Sequence, residues 1–314
     1  EQIIVQGGHV MGLTDGGLTF GLRGTYAWSR PDLGALDLQT RSLIAGFDLR
    51  QPIQRSLLSN AAATIGFDLV EQKTRSSASG ASFLINRDRL RVLFARLDAD
   101  LRSRRMIGEP GSAVAWEARG SLEVRKGLGL FNATPRSLSG GRVQPTRLDG
   151  NSRAWVVRAD MEGAIGIGPI FSLYARGEAQ WANDPLLNFE EYSIGNLTIG
   201  RGYDPGANSA DRAIGLRGEA RAQLRQMDGG TGRVGLELVG FYDQLFLDNL
   251  DGGSSEVDRK LGSFGGGMRV RVPRLALLEV TYARRLDRPL TIHDGKPSDR
   301  VLVSLTLQFQ PGAR

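Results

Sequence analysis

The sequence contains no cysteine and only two histidines, His9 and His293. Disulfide bonds, thiolate nucleophiles and cysteine-bound metals are therefore excluded. The two histidines are far apart in sequence, and His293 occurs in a stretch of loop-forming residues, so a histidine metal site or a serine–histidine catalytic site has little support. We expect no metal, no cofactor and no enzymatic activity.

Long apolar runs are also missing, and aromatic residues make up only 7% of the chain. The longest apolar runs are far shorter than the roughly 18 residues that a transmembrane helix needs. With 40% hydrophobic and 24% charged residues, the composition alone is that of an ordinary soluble protein. The net charge of +6 is compatible with nucleic acid, membrane or acidic substrates. The order of the residues is more informative than their proportions.

What the sequence does contain is strict alternation of apolar and polar residues, in segments separated by Gly, Asp, Asn, Pro and Ser. In the segment 171–181, Phe171, Leu173 and Trp181 have one parity, whereas Arg176 has the other. Period two places successive side chains on opposite faces of a strand. The pattern predicts about 13 strands, at residues 2–11, 17–29, 40–52, 60–72, 89–103, 112–126, 153–165, 171–181, 214–225, 233–246, 261–272, 276–287 and 299–309.

The composition of the two faces favours a membrane barrel over a soluble barrel or a β-sandwich, which show the same period. The apolar face is rich in Ala and Gly, for example at Gly218, Ala220 and Ala222, and such residues fill a soluble core poorly. The other face mixes Arg with Asp and Glu, which suits a wet lumen. Trp155 and Trp181 lie near strand ends, where an interfacial aromatic girdle places them.

The joins between the segments predict an up-and-down meander. Short joins at 166–169, 228–232 and 273–274 are typical of periplasmic turns. Long joins, expected to be outer loops, occur at 73–86, 127–152, 183–211, 248–260 and 288–298. Between Phe94 and Leu97 the parity slips by one residue, which indicates a β-bulge.

The join 183–211 is too long for an ordinary hairpin, and loops of this length are usually functional or disordered. Hydrophobic residues, including Leu197 and Ile199, lead directly into Arg201. A solvated outer loop does not need this combination. The loop is therefore the candidate functional element.

The loop and its neighbouring strands resemble the two-partner-secretion translocators, the hemolysin-activator family, within the superfamily that includes the barrel-assembly insertase. Residues 190–195 (Glu-Glu-Tyr-Ser-Ile-Gly) and 200–203 (Gly-Arg-Gly-Tyr) are similar to that family's lumen-loop signature. The segments 217–221, 240–243 and 49–56 are similar to its other motifs and keep the family order. Gly200 stands where the family usually has Val.

The resemblance implies that the loop folds back into the lumen and that its arginine meets an acidic residue of the inner wall. The motif carried over consists of Arg201, Gly202, Tyr203, Asp204 and Pro205. For the wall partner we expect Asp243, with Glu219 as second candidate and Glu237 on the same face as Asp243. An always-charged planar guanidinium suits a bidentate carboxylate partner in such an interior.

The resemblance also implies an intact barrel of 16 strands preceded by periplasmic domains. We therefore expect residues 1–314 to be the barrel domain of an outer-membrane protein from a Gram-negative-type bacterium, without the first strands and the periplasmic part. The C-terminal segment, ending at Phe309, resembles the strand by which the assembly machinery recognises barrels.

The predicted function is a translocator that secretes an unfolded partner protein through the barrel lumen. Its expected partners are the secreted exoprotein, outer-membrane lipids and the barrel-assembly machinery that inserts it. The alternatives are an assembly factor for other outer-membrane proteins, a diffusion pore and a phospholipase-type barrel enzyme. Nucleic acid is not an expected ligand, because the arginines alternate with carboxylates and form no stripe of one sign.

Overall fold

The computed structural model of the chain describes residues 2–308 except 31, 34–35, 79–80, 106, 108–113, 136–142, 196–198, 230–231, 252–257, 274 and 290–298. The described residues contain no helix that is long and apolar enough to cross a bilayer. They form sixteen strands, in chain order β1 (Gln2–Gly12), β2 (Thr19–Ser29), β3 (Asp32–Leu33), β4 (Leu36–Arg55), β5 (Ser59–Ala78), β6 (Ala81–Arg102), β7 (Trp116–Gly127), β8 (Trp155–Ile167), β9 (Phe171–Ala182), β10 (Tyr192–Ser193), β11 (Ser209–Ala210), β12 (Arg212–Gly229), β13 (Gly232–Asp248), β14 (Arg259–Val272), β15 (Ala276–Arg285) and β16 (Asp299–Leu307).

The long strands form one antiparallel meander in the order β1-β2-β4-β5-β6-β7-β8-β9-β12-β13-β14-β15-β16. Each long strand pairs with the long strand that precedes it, so the predicted up-and-down, all-β architecture is confirmed. The prediction of about 13 strands is confirmed as well. Within the described residues no ladder joins β1 to β16, so the sheet has two edges.

The two faces of the sheet differ as the alternation predicts. On β8, Trp155 and Met161 are 45% and 69% exposed and lie on the outer face. Val156 and Glu162 on the same strand are 3% and 9% exposed and face the inside. The apolar parity therefore faces outward and the charged parity inward, the arrangement of a barrel with a lipid face and a wet lumen.

The predicted bulge between Phe94 and Leu97 is wrong. In this stretch β6 pairs in continuous register with both β5 and β7. The apolar parity changes in the sequence because Phe94 is an aromatic residue on the inner face. The guanidinium groups of Arg23 and Arg125 lie 5.3 and 5.8 Å from its ring centroid. The register shifts occur elsewhere, between Pro52 and Gln54, Thr74 and Arg75, and Gln223 and Arg225.

The predicted long join at 73–86 is also wrong. The strands β5 and β6 are 20 and 22 residues long and pair as far as Ala78 and Ala81, so a tight hairpin replaces the loop. This hairpin lies at the same end of the meander as the long joins after β7, β9 and β13. Trp28, Trp155 and Trp181 also lie at this end. His293, Phe309 and the C-terminal tail lie outside the described residues.

Candidate functional site in the lumen

The loop between β9 and β12 folds back against the inner wall of the sheet. The strands β10 and β11 pair within it. Its side chains Ile194, Ile199 and Tyr203 are 1%, 0% and 0% exposed, and they pack with Leu245 of β13 and Leu261 of β14. Apolar burial thus holds the loop on the wall formed by β12, β13 and β14.

The central contact of the loop is made by Arg201. Its Nη2 atom lies 3.1 Å from Oδ1 of Asp243, and its Nη1 atom lies 2.8 Å from Oε1 of Glu219. The side chains of Arg201, Asp243 and Glu219 are 6%, 0% and 2% exposed. One guanidinium therefore joins carboxylates of two neighbouring strands, β12 and β13, in a dehydrated site.

Backbone and aromatic groups complete the contact of Arg201. The N–H groups of Gly200 and Arg201 donate to Oδ2 of Asp243 at 3.1 and 2.9 Å. The guanidinium carbon of Arg201 lies 3.5 Å from the ring centroid of Phe241, which explains why an aromatic residue occurs on the lumenal parity of β13. Arg217 also reaches Asp243, at 3.0 Å, so this carboxylate faces two arginines.

Gly202 and Tyr203 place the loop against β14 and β15. A Cβ atom on Gly202 would lie 2.7 Å from Cβ of Ser263 and 2.9 Å from the backbone N of Arg285, so only glycine fits here. The hydroxyl of Tyr203 donates to the carbonyl of Gly262 at 2.7 Å. Burial raises the pKa of Tyr203 to about 12, so its hydroxyl is a donor at neutral pH.

Asp204 and Pro205 are exposed, in contrast to the three residues before them. Asp204 pairs with Arg300 of the last strand, β16, at 2.8 Å, and Arg300 also donates to the carbonyl of Tyr203. The Cα atom of Pro205 lies 2.5 Å from where a Cβ of Gly195 would be, and Gly195 has a φ of 137°. The motif therefore contacts five consecutive strands, β12 to β16.

The structure brings two of the three predicted wall residues to Arg201. Glu237 is the exception: it pairs with Arg269, at 3.0 Å, and Arg269 lies 3.5 Å from Glu219. Glu237 thus belongs to the surrounding charge network rather than to the direct contact. The functional importance of these residues stays a prediction.

A second buried ion-pair site, which the sequence did not predict, holds the first part of the loop. Both carboxylate oxygens of Glu190 accept hydrogen bonds from Arg125 of β7, at 2.9 and 3.1 Å, and Arg158 of β8 reaches the same group at 2.9 Å. Burial alone would raise the pKa of Glu190, but the charges of Arg158 and Arg125 outweigh it and hold this pKa below its ordinary value. Two signals in the sequence bear on this site: the alternation places Arg158 on the lumenal face, and Glu190 opens the segment 190–195 that resembles the family signature. Neither signal assigns the two residues to each other.

A third site joins the loop to two other long joins. Arg147, between β7 and β8, lies 2.6 Å from both Glu191 and Asp211 and 2.7 Å from Asp251, which follows β13. Asp211 is fully buried and also accepts the N–H groups of Leu186 and Leu250. One arginine therefore fastens three joins together, and no motif in the sequence points to it.

Toward the end of the barrel opposite the long joins, the loop leaves the inner faces of β4 to β9 uncovered. A cavity of 890 Å³ runs along the inner faces of β4 to β9. Charged residues of both signs line it, namely Arg50, Arg55, Arg96, Asp98, Asp100, Arg119, Asp160, Glu162 and Arg176. In the part of the chain that the structure describes, no group of three metal-binding side chains comes together.

Comparisons with known proteins agree with this architecture. The model of the family described as haemolysin secretion/activation protein ShlB/FhaC/HecB matches residues 33–243. No curated protein matches the chain in sequence.

Three solved structures share the fold. CdiB from Escherichia coli has a TM-score of 0.64 at 13% identity over 92% of this chain and 49% of its own. CdiB from Acinetobacter baumannii has a TM-score of 0.59 at 15% identity over 92% and 47%. BamA from Haemophilus ducreyi, lacking POTRA domains 1–3, has a TM-score of 0.65 at 11% identity over 97% and 62%. The chain thus spans about half the length of the CdiB structures.

Proposed function

Because the chain belongs to the haemolysin secretion/activation family of ShlB, FhaC and HecB, we propose that its lumen conducts an unfolded partner protein outward. The protein is an outer-membrane β-barrel of two-partner secretion. We assign residues 1–314 to one barrel domain, with the long joins on the outside of the cell. The role needs no catalytic residue and no cofactor.

The observation that carries the proposal is the buried contact of Arg201 with Asp243 and Glu219 inside the barrel. It fixes a long loop in the place where a substrate would pass. Removing one partner of a buried ion pair costs about 3–5 kcal/mol, because the other charge is left buried and unpaired, so the docked loop depends on Arg201 keeping its carboxylate partners. The loop is therefore the plug or conformational anchor of the pore.

The open wall supports the passage of an extended chain. The side chains along the cavity are charged with both signs, for example Arg96 and Asp98, which are 42% and 25% exposed. Such a surface offers hydrogen bonds to a peptide backbone without a large apolar patch to which an unfolded chain would adhere. The proposed partners are the secreted exoprotein, the surrounding lipids and the assembly machinery that inserts the barrel.

The experiment compares Arg201→Ala, Asp243→Ala and the double variant in full-length protein, by planar-bilayer conductance and by secretion of the partner protein. We expect each single variant to change the conductance and to reduce secretion of the partner protein. Since both residues act through one contact, the double variant should add little to either single effect.

Arg221→Ala is the matched control. Arg221 lies 2.7 Å from the same carboxylate, Glu219, but belongs to the wall and not to the loop. Its removal should leave conductance nearly unchanged. The anchor role is refuted if Arg201→Ala behaves like wild type, or if Arg221→Ala reproduces its effect.

A further inference from the structure

Six basic residues form a cluster on the outer face of β4, β5 and β6, at the end of the barrel that carries the long joins. This basic cluster consists of Arg41, Lys73, Arg75, Arg87, Arg89 and Arg91. The only carboxylate among them in the described part of these strands is Glu71. The proposed secretion role does not use these residues.

The cluster lies directly beside the lipid-facing band. Leu43, Leu69 and Leu93 are 48%, 36% and 43% exposed and have the outward parity of their strands. The basic residues have the same parity and follow these leucines toward the long joins. They therefore face outward at the boundary of the membrane, and not into the lumen.

The strand register places cations directly opposite each other. Arg41 of β4 is the pairing partner of Lys73 on β5, and Lys73 is the partner of Arg87 on β6. Like charges in directly opposite positions destabilise a sheet. An anion bound beside these three cations would reduce the repulsion between them.

The protein itself supplies little compensation. Glu71 lies 3.1 Å from Arg87, 3.3 Å from Arg91 and 3.7 Å from Lys73. Among the described residues, Arg41 and Arg75 have no ion-pair partner. The Nε atoms of Arg87, Arg89 and Arg91 are buried and lack a hydrogen-bond partner. Arg91 is itself buried and donates to the carbonyls of Val70, Leu90 and Phe131. The cations that an outside anion can reach are therefore mainly Arg41, Lys73, Arg75 and Arg87, and the same strands offer them one carboxylate, Glu71.

A cleft next to the cluster combines polar and apolar walls. Its volume is 230 Å³, and it is lined by three cations, Arg41, Lys73 and Arg75, by one carboxylate, Glu71, and by Tyr26 and Leu43. Tyr26 and Leu43 are 45% and 48% exposed on the outer face. The cleft therefore offers cations to a headgroup and an apolar surface to the hydrocarbon that follows it.

We propose that the basic cluster binds an outer-leaflet lipid whose headgroup carries more than one phosphate, as in a phosphorylated glycolipid of the lipopolysaccharide type. Phosphate oxygens accept charge-assisted hydrogen bonds from guanidinium groups, and several cations close together favour several phosphates. The acyl chains lie along the leucine band of β4 to β6. The bound lipid relieves the repulsion between Arg41, Lys73 and Arg87.

The experiment measures lipid retention by the full-length protein in detergent, using native mass spectrometry with lipid A, phosphatidylglycerol and phosphatidylcholine as probes. The test variant is Arg41→Gln/Lys73→Gln/Arg75→Gln, which leaves the arginines of β6 in place. Wild type should retain lipid A in preference to both phospholipids. The variant should bind lipid A roughly a hundredfold more weakly, since each cation near an anionic lipid contributes about fivefold.

The matched control is Lys126→Gln/Arg212→Gln/Lys260→Gln. These three cations lie at the same end of other strands, each beside a single aromatic ring: Trp155, Trp181 and Phe246. The control should retain lipid A like wild type, and thermal unfolding should show that both variants are folded.

Three results would overturn the proposal. Equal loss in the test and control variants would mean that general charge, and not the cluster, attracts the lipid. Equal retention of phosphatidylglycerol and lipid A would exclude a requirement for several phosphates. Complete displacement of lipid A by millimolar inorganic phosphate would identify the site as one for free phosphate.

Discussion

Two regions of the inner wall carry the same types of charged residue, but one region is buried and the other is exposed to water. On β12 and β13 the loop covers the carboxylates, and Asp243 and Glu219 are 0% and 2% exposed. On β4 and β6, Arg50 and Asp98 are 52% and 25% exposed at a distance of 3.8 Å. The loop removes water from the carboxylates of β12 and β13 and leaves Arg50 and Asp98 hydrated. Hydration, more than residue type, therefore separates an anchoring contact from a permeable surface.

Of the substitutions that test this difference, Asp243→Ala should have the largest effect on loop docking. It removes the carboxylate that Arg201, Arg217 and two backbone N–H groups share in a buried site, and leaves Arg201 only its contact with Glu219 among these carboxylates. We expect a loss of about 3–5 kcal/mol in the free energy of loop docking. Hydrogen exchange of the amides of Gly200 and Arg201, followed by mass spectrometry of the full-length protein, measures it.

Glu237→Gln is the control for this measurement. Glu237 lies on the same strand as Asp243 and pairs with Arg269 of β14. Exchange at residues 199–203 should then match wild type. If Asp243→Ala also leaves this exchange unchanged, the loop is held by its apolar side chains and not by the ion pairs.

Acidic pH should weaken the second loop contact, the one made by Glu190, and this effect should be intermediate in size. The folded-state pKa of Glu190 is lowered, so the stabilisation by its carboxylate is present above the ordinary glutamate value, near 4.3, and is lost as the pH falls through the lower folded value. Below about pH 4, exchange of the loop segment 186–192 should increase in wild type.

Glu190→Gln tests that assignment. It should weaken docking of this segment by about 1.5–3 kcal/mol at neutral pH, the usual range for hydrogen bonds to a charged group. It should also reduce the acid-induced increase in exchange. An unchanged acid response in the variant would assign the pH dependence to other carboxylates of the loop, such as Glu191.

The strands were predictable because lipid and water enforce alternation, and their predicted bounds agree with the structure where that rule holds. It fails in two places, for physical reasons. Beyond the lipid-facing band the outward residues of β5 and β6, such as Lys73 and Arg87, are charged, so the pattern there is typical of a loop. Phe94 faces the lumen and contacts guanidinium groups, and so it appears as a change of parity.

The candidate site was predictable only where residues carry a family resemblance. Arg201 and Asp243 occur in such motifs, and the structure brings them together. The contacts of Glu190 with Arg125 and of Arg147 with Asp211 join residues 65 and 64 positions apart. Glu190 lies in the family-like segment 190–195, but the resemblance does not name its partner. Arg147 and Asp211 both lie in joins without periodicity. Tertiary folding alone decides such pairs.

The smallest effect on stability is expected on the open wall, with Asp98→Asn. Exposed ion pairs contribute about 0–1 kcal/mol, so the loss of the contacts with Arg50 and Arg96 should hardly change unfolding in urea. The same substitution removes a negative charge from the cavity wall, and the reversal potential in a salt gradient should shift toward anion selectivity. A large loss of stability without a change in selectivity would mean that Asp98 supports the fold, and that this wall does not line the path of ions.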